Sequence, residues 1–228
     1  MKKARMIVNI AMTVVLLCLM AYTLVGETAH EVLGTVMFIL FIIHHILNRK
    51  WFGAVTKGRY NSFRVLQTTL VFLMILSVLA SVVSGIMLSN KLYTFLPRIS
   101  GMSIARSVHM VCAYLNFILM SLHLGLHWNA MMSAMIKKMG NGSKVWILRI
   151  AAFGVAIYGI YAFVKRQIGE YLFLRTHFLF LDTSEPLILF FIDHVAIMGL
   201  FVFIGHYLAR LLRQVGNNRK TDQRKGVI

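Results

Sequence analysis

Four histidines define the chemistry open to this sequence. His30 and His44 stand fourteen residues apart, and so do His109 and His123. On an α-helix fourteen residues make nearly four whole turns, so each pair projects from one face at two heights roughly 21 Å apart. An imidazole nitrogen ligates iron, zinc and copper, and near neutral pH it also carries protons. Two such helices side by side bring the four rings together as two couples, His30 with His109 and His44 with His123. Each couple is the axial ligand set of a six-coordinate haem iron. The plainer reading of a single intramembrane histidine is an interhelical hydrogen bond or a proton relay. Four that match in spacing favour ligation, because each unpaired polar ring left in hydrocarbon costs on the order of several kcal/mol.

The second couple has rivals. His45 is turned about 100° from His44, toward a different neighbour. His127 shares the face of His123 but lies about 6 Å further along the axis. Equal spacing favours His44 with His123. Small residues at Gly34, Ala113, Ser121 and Gly125 leave room for a porphyrin edge between helices. Arg98 and Arg106 near the first couple, and Arg49 with Lys50 near the second, are placed to meet propionates. Ordinary snorkelling explains any one of these cations equally well. His194 and His206 are twelve apart and out of phase, so no third haem is expected. Asp193 and His194, beside a segment with His177, Asp182 and Glu185, offer a proton acceptor for quinol oxidation. The expectation favoured there is plainer, a solvated helix start with an acid near its N-terminus.

The elements that must hold these residues are legible from hydropathy. The 228 residues are 59% apolar, with a mean hydropathy of +0.75 and only two prolines. That is far more apolar surface than a soluble domain of this size hides, and it predicts an integral membrane protein. A formal charge of +17 raises the question of nucleic acid. The basic residues fall instead in short stretches between long apolar runs, the distribution of a topology signal. Cys18 and Cys112 lie inside apolar runs and no Cys-x-x-Cys occurs, which leaves c-type haem attachment, disulfides and iron–sulfur ligation without support.

Six spans are expected, over about 6–25, 30–47, 65–88, 108–128, 145–164 and 187–212. The first lacks an Ala-x-Ala exit and is expected to be retained. With the N-terminus inside, 18 of the 24 lysines and arginines fall on the cytoplasmic side, while six of the seven acids fall outside. This bias predicts an N-in, C-in topology. Trp51, Trp128 and Trp146 then land at inner interfaces, as interfacial aromatics should. The second and fourth spans run in the same sense, so the first couple sits at the outer level and the second at the inner. The expected fold is therefore an all-α integral membrane helical bundle with six transmembrane helices, haem binding resting on helices 2 and 4. Residues 1–128 form its four-helix haem-binding core, 129–212 two further spans, and 213–228 a basic cytoplasmic tail expected to be mobile.

His30-Glu31-Val32-Leu33-Gly34, His44-x-x-x-Asn48 with Trp51, and His123-Leu124-Gly125-Leu126-His127-Trp128 together resemble the flavinylation-associated cytochromes, a family of bacterial membrane proteins. The stretch from Asp193 to Tyr207 is similar to the closing helix of the longer members. The resemblance implies a haem b conduit in the bacterial cytoplasmic (inner) membrane that exchanges electrons with an extracytoplasmic protein carrying covalently attached FMN. The fourteen-residue pairs are also similar to those of respiratory b cytochromes, which implies two haems. The doubled His44-His45 and the Arg49-Lys50 pair depart from the family pattern. A membrane quinone is a further expected partner. Two competing classes are a transporter using histidines for proton relay or metal binding, and a haem-bearing anchor subunit of a membrane dehydrogenase.

Overall fold

The computed structural model describes residues 2–58, 60–96, 101–139, 142–176 and 185–225. Every regular element among them is helical: α1 (Lys2–Met20), α2 (Tyr22–Val25), α3 (Glu27–Leu47), α4 (Arg49–Val55), α5 (Ser62–Leu88), α6 (Met102–Met139), α7 (Gly142–Lys165), α8 (Ile168–Leu172) and α9 (Leu187–Lys225). Six of these, α1, α3, α5, α6, α7 and α9, are long and apolar enough to cross a membrane. Chains of Leu, Ile, Val and Met take this form in lipid because only a helix satisfies its own backbone there. Large apolar side chains such as Phe72, Val83, Ile147, Val164 and Ile188 point outward, as a lipid solvent allows.

Hydropathy locates the spans better than their ends. The basic start already belongs to α1, which stops at Met20, five residues before the apolar run does. The backbone then turns through α2 to Gly26, whose φ of +82° reverses the chain into α3. A Cβ at Gly26 would touch nothing, so it is this backbone conformation that calls for glycine. α6 runs well past both limits expected for its span, and α9 continues as helix to Lys225 where a mobile tail was expected. Lys, Arg and Gln are good helix formers, so an established helix carries on into water. Two short helices, α4 and α8, occupy stretches expected to be loops.

The chain divides into two compact units, with boundaries that pass through α5, α6 and α9 as well as between helices. The first comprises Met1–Gly58, Leu76–Asn116 and Gln167–Ile192. Within it α1 packs along α3, and Arg5 Nη2 donates to the Leu47 carbonyl at 2.8 Å, satisfying a last-turn acceptor of α3. At the other end of α3, the Glu31 carboxylate accepts from Ser89 Oγ (2.7 Å), Asn90 N (2.9 Å) and Leu92 N (2.8 Å). Glu27, one turn earlier, accepts from Asn90 Nδ2 at 2.8 Å. Together they clamp the segment after α5 onto the start of α3. Tyr114 and Tyr171 stack in parallel, 4.8 Å apart and 4° from coplanar.

The second unit comprises Arg59–Ile75, Phe117–Arg166 and Asp193–Ile228. Small residues bring its helices close. A Cβ on Gly125 of α6 would strike the Val202 carbonyl of α9, and one on Gly205 would strike the Leu122 carbonyl. Gly159 of α7 lies likewise against Ala196 of α9. Membrane helices gain packing in this way where water supplies no hydrophobic drive. Arg213 lies 4.0 Å over the Phe63 ring and donates to the Leu126 carbonyl at 3.4 Å.

Candidate functional site

The first couple is brought together. His30, on the first turn of α3, and His109, near the start of α6, have ring centroids 6.1 Å apart with planes at 73°. Tyr22 packs edge-on against His30 at 5.0 Å. His30 Nδ1 is buried and has no hydrogen-bond partner among the described residues. His109 Nδ1 lies 3.0 Å from the Ser81 carbonyl and 3.3 Å from Ser84 Oγ. A carbonyl only accepts, so Nδ1 carries the proton and the lone pair belongs to Nε2, the tautomer a metal ligand needs. Gly85 faces the same ring, and a Cβ there would stand 3.1 Å from His109 Cε1.

The 6.1 Å between the two rings is of the size that a haem held between them would require. Two imidazole nitrogens each about 2 Å from one iron set the ring centroids about 6 Å apart. The planes are free to differ in angle, since each turns about its own Fe–N axis. Among the described residues no three His, Cys, Asp or Glu side chains converge to hold an ion.

The second couple is divided between the units, His44 falling in the first and His123 in the second. His44 Nδ1 lies 3.0 Å from Asn9 Oδ1 of α1. An amide oxygen only accepts, so this ring too is protonated at Nδ1. His45 Nδ1 meets the Phe41 carbonyl of its own helix at 2.8 Å, and its ring sits 4.1 Å from that of Phe41 and 5.5 Å from that of Phe52. In the second unit the His123 and His127 rings are 4.8 Å apart. Gln67 Nε2 lies 3.3 Å from His127 Nε2. An amide nitrogen only donates, so it engages the lone pair with which His127 would ligate.

Other expected contributors sort themselves by position. Arg106, Arg49 and Lys50 are exposed, while Arg98, His177 and Asp182 lie outside the described residues. Gly34 borders open space, but Gly125 serves the crossing of α6 with α9, and Ser121 Oγ is turned to the Phe117 carbonyl of its own helix at 2.6 Å. The largest departure is Asp193. In place of a solvated helix start, it is 0% exposed at the seventh position of α9. Tyr158 donates to Oδ1 at 2.6 Å, while Lys165 Nζ (3.0 Å), Arg166 Nε (2.8 Å) and Arg166 Nη2 (2.7 Å) surround Oδ2. A carboxylate tied to two cations and a phenol is a poor proton acceptor and a strong joint between α7 and α9. His194 is buried beside it, with Phe117 edge-on at 5.8 Å.

Several participants escape the histidine pattern. Ser77, Ser81, Ser84 and Gly85 form a small-residue stripe at helical spacing on α5, a pattern that signals close approach. Asn9 is a lone amide in an apolar run, and such a group calls for a partner. Comparison with protein-family models, with curated proteins and with solved structures finds no match to this chain.

Proposed function

We propose that this is a transmembrane di-haem b-type cytochrome, with His30 and His109 as the axial ligands of an outer haem and His44 and His123 as those of an inner one. The observation that carries the reading is the 6.1 Å approach of the His30 and His109 rings, reached by residues 79 positions apart in sequence. Haem supplies one-electron exchange when bound. The chain's own part is to present imidazoles in the ligating tautomer, through Ser81 for His109 and Asn9 for His44, and to keep water away with apolar helices. Arg106 and Arg49, both exposed, are the cations this reading assigns to the propionates. On this reading, electrons pass between a membrane quinol or an inner donor and an extracytoplasmic FMN-bearing protein, across the bacterial inner membrane, with N-terminus and C-terminus both inside.

The pyridine haemochrome spectrum and iron content of the purified protein test this directly, and two haems per chain are expected. One haem rejects the two-level arrangement, and none rejects the class. The competing transporter reading draws on the charged knot at Asp193 within an apolar helix, since intramembrane charge often marks a transport path. Haem content decides between the two.

A further inference from the structure

We propose that Asn9 is the positioning residue that makes His44, and not its neighbour His45, the inner ligand, an inference that rests on the two-haem reading. The two rings adjoin in sequence and share one helix, so spacing barely separates them. Their attachments do. His44 Nδ1 donates to an amide on a different helix, 3.0 Å away. His45 Nδ1 donates to the carbonyl four residues back on its own helix, and its ring folds between Phe41 and Phe52.

An axial ligand must hold one nitrogen aimed at a fixed point, and a hydrogen bond from the opposite nitrogen orients the ring and raises its basicity. Asn9 is well placed to do this because α1 is itself in fixed register on α3. Arg5, one turn before Asn9, donates to the Leu47 carbonyl, nearly one turn after His44. The two ties run antiparallel at successive turns, so the amide cannot slide away from the imidazole without breaking the helix-end bond as well. Asn9 also has no lipid-compatible alternative, since a bare amide in an apolar helix is costly.

The test uses full-length protein in nanodiscs carrying Asn9→Leu, Asn9→Asp or His45→Phe, read by potentiometric titration with EPR and by ¹⁵N shifts of the His44 ring in cofactor-free protein. Asn9→Leu is expected to raise the inner midpoint potential and broaden its EPR signal while the outer one stays put. Asn9→Asp, a stronger acceptor of the same shape, shifts the inner potential the opposite way. His45→Phe keeps both haems. In the ¹⁵N spectrum the wild-type ring is protonated at Nδ1, and Asn9→Leu turns it into a tautomer mixture. Loss of the inner haem in His45→Phe, unmoved inner potentials in both Asn9 variants, or a ring indifferent to Asn9→Leu each overturns the proposal. Because the ¹⁵N readout needs no haem, a wild-type protein without haem sinks the two-haem reading while this spectrum still judges the role of Asn9.

Discussion

The two ends of α3 solve one problem by different means. At the His30 end the opposing ring, His109, is oriented by a backbone carbonyl, that of Ser81, and a glycine gives it space. At the His44 end the ring meets a side-chain amide on α1. A carbonyl survives any substitution of its own side chain, whereas an amide is lost in one. The first arrangement is robust to mutation, and the second can be tuned.

The largest expected effect is loss of a whole cofactor. His30→Ala or His109→Ala should halve the haem found per chain, with the remaining haem keeping its midpoint potential. If both haems vanish together, the ends are not independent and the contrast fails. Next comes Asp193→Leu, which leaves Lys165 and Arg166 facing an apolar void and should cost about 3–5 kcal/mol. Thermal unfolding in detergent reads that loss. Because Asp193 belongs to neither end of α3, the ratio between the haems should hold even as the melting temperature falls.

Glu31→Gln weakens charge-assisted bonds from the clamped segment and should cost about 1–2 kcal/mol. Faster hydrogen exchange over residues 89–93 would report it, with the His44 end unaffected. Ser84→Ala should do least, since the 3.3 Å contact it removes is secondary to the Ser81 carbonyl at 3.0 Å. An outer potential that moved as far as the inner one does in Asn9→Leu would break the comparison.

The six apolar runs were plain in the sequence because lipid demands uninterrupted hydrophobicity over a span. Where each helix stops was not, since hydropathy reports contact with lipid and α6 and α9 go on beyond it. The meeting of His30 with His109 was legible from equal spacing together with the common sense of the two spans. Equal spacing favoured His44 over His45, but the bond that His44 makes to Asn9 was hidden, because that amide sits on a helix more than thirty residues away. Gly125 was misread for a related reason: a small residue records close approach without saying of what, and here it is the backbone of α9. Asp193 was misread because its cations, Lys165 and Arg166, lie at the far end of a preceding helix.

The tie between α1 and α3 also orders events at the ribosome. Both partners of the Asn9–His44 bond are synthesised before any of α6, and seventy-nine residues separate His44 from His123. At about 5–20 residues per second that gap lasts roughly 4–16 s. Both partners of that bond are therefore present in the nascent protein for seconds before His123 is made.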